Sequence, residues 1–464
     1  MAATSVSHIQ FHTDDQWFRT ESGTGLLAGS PLTYFTVTEA GARILDAIEN
    51  NETLPAQHAA LTDRLLAVGA IHPSFETPVS PGEITVVIPA FVRDVQAKER
   101  LQTLIDLLSG LRIIVVDDCS PLELKINGAE VLRLTENSGP AAARNAGLRI
   151  VNTPFTAFVD DDASVTTEQL CAIAAHLSDA SVSAVAPRVS SHVGTSLIAE
   201  YESLHSPLDL GINPAVVRPL SRVSYVPAAV LIIRTSVAKE TDGFDASLRL
   251  GEDVDLIWRL VESGHTVRYD PSIVCHHTPR SSIRGFMRQR WSYGRSAASL
   301  DKRHKFTASP LRANFVMLIP AVMLLTGYVY FAAALFPLMV AWFLFSLRRT
   351  GVKLSTRARL AVTGWFSTVR LLASAIMRAW WPIMLITGQF SLRIGAAFVF
   401  SAFVPPMHGL LRQKPRHTFG YIALRILDPM AYGAGVWAGV LRERSIRCLL
   451  PVVTRGAIRL RSKA

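Results

Sequence analysis

Three runs dominated by apolar and β-branched residues, Ile84 to Ile88, Ile113 to Val116 and Phe155 to Val159, each stop at a residue that breaks them: Pro89, Asp117 and Asp160. A β-branched run bounded in this way predicts a strand covered on both faces, as in a parallel sheet with helices on either side. The intervening segments supply a helix over about Lys98 to Leu108, a strand over Val131 to Leu134, and a turn opening a helix of small residues from Asn137 to Gly147. Strand, helix, strand, strand, helix, strand makes a doubly wound α/β half. Ligands meet such sheets at the C-terminal ends of the strands, where Asp117-Asp118 and Asp160-Asp161-Asp162 fall.

Adjacent carboxylates repel unless a cation or a set of donors offsets them, and a divalent cation bridging to substrate phosphates is the usual solution. The triplet is read here as a metal–diphosphate site, against the plainer alternative of a solvated acidic turn. Side chains alternate along a strand, which puts Asp160 and Asp162 on one side and Asp161 on the other.

At 464 residues the chain has room for two or three domains. Cys119, Cys171, Cys275 and Cys448 lie far apart in no metal-ligand spacing, so neither a disulfide framework nor a zinc site is expected, and a reducing, cytosolic setting fits. Met1 to His12 lacks the basic start and apolar run of a signal peptide, so export is not expected. The net charge of +10 conceals a split: residues 1–279 hold 19 Lys and Arg against 34 Asp and Glu, residues 280–464 hold 28 against 3. So basic a rear calls for an anionic partner, and its apolar runs favour a cytoplasmic membrane surface over nucleic acid.

Residues 1–80 suggest a small winged-helix-like domain. Leu32 to Val37 predicts a strand, Thr38 caps a helix carrying Ala42, Leu45 and Ile48, a second helix runs from about Pro55 to Ala67 and ends at Gly69, and Ala70-Ile71 starts a short strand. Pro73, Pro78 and Pro81 mark a boundary near 80, and a second boundary is expected near 305. Beyond it lies an apolar, basic helical region over 306–464, expected to associate with the membrane. In it, Phe315 to Phe345 is long enough for one tilted span or two short ones, and Arg348, Arg349, Lys353, Arg357 and Arg359 follow as on a cytoplasmic side. If both ends are cytoplasmic, a re-entrant or surface hairpin is implied. Arg370, Arg378 and Arg393 among Trp365, Trp380 and Trp381 predict helices lying in the interface, and Arg442 to Lys463 a further surface-lying helix.

Ile84 to Pro89, Val116-Asp117-Asp118-Cys119-Ser120, Asn137 to Gly147 and Asp160 to Asp162 stand in the order and spacing of the family 2 inverting glycosyltransferases, a resemblance running through about residues 84–300. It implies the GT-A fold over 81–305, transfer of a hexose from a nucleotide sugar such as UDP-glucose to a hydroxyl acceptor, and a divalent metal, Mg²⁺ or Mn²⁺. Leu32 to Leu45 resembles the small peptide-recognition domain that binds precursor peptides for radical maturation enzymes. Taken with that segment and the rear, the whole chain resembles the branch of the family that glycosylates a small peptide-derived redox cofactor and builds a β-linked oligosaccharide.

The resemblance also assigns residues. Asp118 matches the carboxylate that contacts uracil, with Pro89 and Ala90 lining the pocket. Asp162 matches the principal metal ligand, with Asp160 beside it and Asp161 facing the nucleotide sugar. Arg144 points at phosphate or at the acidic triplet. Glu252-Asp253 opens a helix; inversion at the anomeric carbon needs a base opposite the leaving nucleotide, which is Asp253, positioned by Glu252. Of His276 and His277 at most one reaches the metal, with His277 preferred, because neighbours on a strand face opposite ways. Arg288, Arg290, Trp291 and Tyr293 resemble the family's Q-x-x-R-W-type helix with a different spacing and are assigned to the diphosphate or acceptor. Capping acids, surface salt bridges and lipid contacts are the plainer readings of these groups. A polyisoprenyl-phosphate or cell-wall glycan transferase, and a non-enzymatic peptide- or nucleic-acid-binding protein, stand as alternatives.

Overall fold

In the computed structural model, which describes residues 10–52, 54, 59–75, 77–454 and 459–460, the chain divides into two compact units. One gathers residues 1–16, 43–193 and 202–279, the other residues 17–42, 194–201 and 280–464. The segment 1–80 is thereby shared between them.

The first unit is built on a mixed sheet. Ile84–Ala90, Arg112–Asp117, Glu130–Arg133 and Phe155–Val159 form its parallel half, as the apolar runs require. Val230–Arg234 pairs antiparallel with Phe155–Val159, Val182–Ser191 antiparallel with Val230–Arg234, and Thr266–His277 parallel with Val182–Ser191. Alternate side chains feed two layers. Val86, Ile88, Ile113, Val115, Ala157 and Val159 share a core with Leu101, Leu104 and Leu170 from helices Val95–Leu107 and Thr167–Ala174. Val87 and Val116 meet helix Pro140–Ile150 on the opposite face, and its Gly147 lies so near that a Cβ there would stand 2.4 Å from Val87 Cγ1. That approach explains the small residues of this helix. Each fully buried aliphatic side chain contributes about 1.5–3 kcal/mol. In the same unit Ala59–Val68 is helical, Gly69 ends it at φ +66°, and Ile71–Ser74 pairs with Gln10–Thr13. The expected helix start at Pro55 lies outside the described residues.

In the second unit Trp17–Arg19, Gly25–Ala28 and Thr33–Thr36 form an antiparallel meander, joined in parallel by Arg459–Leu460. Thr38 Oγ1 accepts the Gly41 N–H at 3.2 Å and so caps the next helix, as its sequence predicts. Helix Ile283–Arg303 packs along Thr418–Glu443 with backbones almost in contact: a Cβ on Gly294 would fall 1.9 Å from Tyr432 O, and one on Gly435 2.0 Å from Trp291 O. Three helical stretches, Val329–Thr350, Leu354–Gly388 and Leu392–Gln413, are long and apolar enough to cross a membrane, where the sequence predicts interfacial helices for the last two. The tail also departs from expectation. Val452–Thr454 is a strand beside Arg312–Asn314 instead of part of a helix, in keeping with the strand preference of adjacent valines. The expected extension of that helix through 455–458 and 461–464 lies outside the described residues.

Candidate active site

Strand Arg112–Asp117 ends in two acids with different surroundings. Asp117 accepts the Ser120 N–H and Arg133 Nη1, each at 2.8 Å, and so closes the turn. Asp118 accepts the backbone N–H groups of Ser138 at 2.7 Å and Gly139 at 2.8 Å, one on each oxygen, leaving each a further lone pair for a ligand donor. Gly139, at φ +89° directly before Pro140, makes the turn that brings these amides under the carboxylate. Ala90 O accepts the Asp118 N–H at 2.9 Å, which sets Pro89 and Ala90 at the same edge.

Arg144 joins the neighbouring elements. Its Nη2 donates to Asp160 Oδ1 at 2.6 Å and its Nη1 to Glu252 Oε1 at 2.9 Å, with the guanidinium 5.1 Å from the Phe244 ring centre. Burial works against its charge, but Asp160 and Glu252 outweigh that and raise its pKa above the ordinary arginine value. Of the two expectations for this guanidinium, phosphate or the acidic triplet, it meets the triplet at Asp160, and it takes Glu252 as a second carboxylate. Glu252 and Asp253 occupy the first turn of helix Glu252–Glu262, which follows Gly251 at φ +77° and whose dipole favours acids there. Asp253 accepts the N–H groups of Val254 at 2.8 Å and Ala228 at 3.4 Å, while Ala229 O accepts the Asp160 N–H at 3.0 Å. One cluster thus contains Asp160, Arg144, Glu252 and Asp253. Burial first, and then the charge of Glu252, push the Asp253 carboxyl up to about 7, with Arg144 giving partial relief. A carboxylate poised near neutrality suits a general base.

Asn145 was not singled out from the sequence, although it follows Arg144 directly. Its Nδ2 donates to Phe244 O at 2.6 Å and its Oδ1 accepts the Phe244 N–H at 2.9 Å. Arg259 grips the same loop, donating to Asp255 at 2.8 Å and to the carbonyls of Thr241 and Gly243, each at 2.6 Å. These bonds fix the approach to Glu252 and Asp253. The available signal was a lone amide side chain in a helix otherwise rich in alanine and glycine.

The acidic triplet corrects one expectation. The strand ends at Val159, and the next residues turn, with Ala163 N–H donating to Asp160 O at 3.0 Å, so two-residue alternation stops there. Asp160 faces Arg144, whereas Asp161 and Asp162 together line a cavity of about 430 Å³ with Gln96, Arg100, Thr103 and His192. His277 Nε2 lies 2.6 Å from Ser191 Oγ and 3.1 Å from Ser206 Oγ in a buried setting, so this nitrogen has partners within the protein. His276 stacks on His192 with ring centres 4.9 Å apart. Among the described residues, no group of three or more His, Cys, Asp or Glu side chains is arranged to hold a metal ion. The hard oxygens of Asp161 and Asp162, opening on a roomy cavity, do fit Mg²⁺ or Mn²⁺ of the kind held by one or two carboxylates and completed by substrate phosphates.

Arg288, Arg290, Trp291 and Tyr293 belong to the second unit. Arg290 is buried, donates to Asp428 at 3.0 Å and stands 4.4 Å from the Phe286 ring centre, so it serves the packing of its own helix. Arg295 lies 5.0 Å over the Trp291 ring, Tyr293 Oη accepts Gln289 Nε2 at 3.0 Å, and Arg288 is exposed.

The family model for Glycosyl transferase family 2 matches residues 85–235. The Pre-mycofactocin glycosyltransferase of Mycobacterium tuberculosis is 35% identical over 460 residues, covering 93% of this chain and 95% of the relative. Similar solved structures include S. aureus TarS in complex with UDP-GlcNAc, at 19% identity over 47% of this chain and 66% of that one with a TM-score of 0.36. The mannosyltransferase PcManGT from Pyrobaculum calidifontis, in complex with GDP-Man and Mn²⁺, is 16% identical over 70% of this chain and 90% of its own, with a TM-score of 0.36.

Proposed function

This chain is a transferase that belongs to glycosyl transferase family 2, among the pre-mycofactocin glycosyltransferases, and from that premise we propose that it transfers glucose from UDP-glucose, with inversion, to a hydroxyl of premycofactocin. Repeated transfer builds a β-linked oligosaccharide at the cytoplasmic membrane surface. The catalytic unit is read as a GT-A fold. The observation that carries the proposal is the joining of Asp160, Arg144, Glu252 and Asp253, with the Asp253 carboxyl raised to about 7.

In the proposed reaction Asp253 accepts the proton of the acceptor hydroxyl as its oxygen bonds to the anomeric carbon. The bond from that carbon to the diphosphate oxygen breaks on the opposite side, and UDP departs with the electron pair. Glu252, held by Arg144, keeps a negative charge beside Asp253 and strengthens it as a base. Asp118 presents its remaining lone pairs to the uracil N–H, with Pro89 and Ala90 flanking the base. Asp161 and Asp162 would hold a divalent cation with help from Asp160, and the cation's chemistry is to neutralise charge on the departing diphosphate.

The test is UDP release from UDP-glucose in the presence of premycofactocin. Release that requires Mn²⁺ or Mg²⁺, vanishes in Asp162→Ala and yields hexose-spaced products by mass spectrometry supports the reading. Turnover unaffected by chelation and by that substitution would sink its metal–diphosphate part.

A further inference from the structure

Length and composition alone make three helices of the second unit eligible to cross a bilayer. Their connections suggest something else. Helix Phe315–Leu325, which leads into the first of these stretches, has 11 residues and starts at Asn314, whose side chain caps it and whose strand pairs with Val452–Thr454. The helical stretch Leu354–Gly388 passes Trp380, whose indole donates to Leu449 O at 2.8 Å, and only its last 8 residues, Trp381–Gly388, run on from there toward the last stretch. Both arms, helix Phe315–Leu325 and the end of Leu354–Gly388, therefore meet the same stretch of chain, 449–454, and reach only about 16 and 12 Å beyond it at 1.5 Å per residue. A hydrocarbon core is about 30 Å thick. Beyond the two arms the turns meet: Arg393 Nη1 donates to Tyr328 Oη at 2.7 Å, and its guanidinium covers the Tyr328 ring at 4.2 Å.

We propose that the joined turns, residues 326–331 and 386–393, form one apolar plug that enters a single leaflet of an anionic membrane and stops near the midplane without crossing. The plug surface is apolar and open, with Tyr330 91%, Phe390 89% and Leu392 88% exposed. Arg393 is the one charged side chain in these two stretches, and it is engaged by Tyr328. The stretch from which the arms leave is flanked by Arg442, Arg444 and Arg447, placed to meet lipid phosphates. The longer arms, such as Val329–Ser346 with 18 residues, outrun the short ones and end in Arg348 and Arg349, on the basic side again. Arg357 Nη1 donates to Leu344 O at 3.1 Å, tying the return of one hairpin to the start of the next helix. The inference rests on the membrane part of the reading above and is independent of the sugar chemistry.

The experiment places an environment-sensitive NBD probe at Phe390→Cys in a Cys119→Ser background and adds the full chain to vesicles of equimolar phosphatidylcholine and phosphatidylglycerol. The expected result is a bright probe, quenched by lipids brominated along the acyl chain and protected from dithionite on either side. Reduction by dithionite trapped inside the vesicles would show a full crossing and overturn the plug. Reduction by external dithionite while the chain stays bound would mean surface attachment, overturning the plug but not membrane association. No binding would overturn both, and UDP release measured on the same labelled chain keeps these outcomes separate from the transferase reading. A Tyr330→Ser, Phe390→Ser chain should bind the vesicles at least about tenfold more weakly with an unchanged melting temperature, since both side chains are almost fully exposed. Equal binding would also overturn the plug.

Discussion

Replacing Asp253 by asparagine preserves the size of the side chain and an acceptor for the Val254 N–H, now at 2.8 Å, while removing its basicity. Loss of a positioned base costs about 10²–10⁴-fold in rate. That corresponds to about 3–5 kcal/mol of barrier at 1.36 kcal/mol per tenfold. In the native enzyme, kcat/KM should climb tenfold per pH unit up to about 7 and then level off, because a protonated Asp253 cannot take the acceptor proton. In Asp253→Asn that limb should disappear. Stability moves the opposite way. The folded carboxyl titrates above its ordinary value of 3.8, so folding favours the protonated form; the cost of ionisation is absent below pH 3.8, grows through the interval and is complete above about 7. The asparagine chain should therefore be the more stable one at pH 8, by at most about 4 kcal/mol, an upper bound since water reaches the site. The assay is UDP release from pH 5 to 9, with urea unfolding at pH 5 and 8. Retention of more than about a tenth of the turnover, or a flat native profile across neutrality, would refute the assignment of the base.

Arg144→Met should leave Asp160 and Glu252 without their shared cation, destabilise the fold by about 3–5 kcal/mol and move the acid limb of the pH profile upward; urea unfolding and the same pH series check both. Asn145→Ala removes two bonds to the Phe244 backbone, so kcat should fall with donor KM little changed and stability should drop by about 2 kcal/mol. Gly294→Ala would set a methyl group 1.9 Å from a carbonyl oxygen, forcing two helices apart, and should cost about 3 kcal/mol or more, read as a lower melting temperature of the full chain. In the presence of chelator, UDP release should cease and return with added Mn²⁺.

The catalytic unit was legible because its determinants are local in sequence. A β-branched run stopped by proline or aspartate announces both a buried strand and the edge where ligands bind, which singled out Asp118 and Asp160, whereas Asp253 was singled out by resemblance, in a Glu-Asp pair that opens a helix. Asn145 and Arg259 were not, because they act on a loop 99 and 16 residues away, through main-chain atoms that carry no side-chain signature. The side on which Asp161 and Asp162 fall was misjudged because alternation holds only while a strand lasts, and the chain turns immediately after Val159.

By itself the sequence determined the strands and helices of the parallel half of the sheet, which end of that sheet carries carboxylates, and that a basic, apolar rear follows an acidic front. Each of these depends on the periodicity or composition of contiguous residues. Tertiary structure alone decided that Arg144 takes Glu252 as well as Asp160, that Arg290 is committed to Asp428, and that Asn314 and Trp380 both meet the tail within 449–454. Those outcomes turn on which remote groups come within about 3 Å of one another, the range over which hydrogen bonds and ion pairs act, and no local pattern encodes such distances.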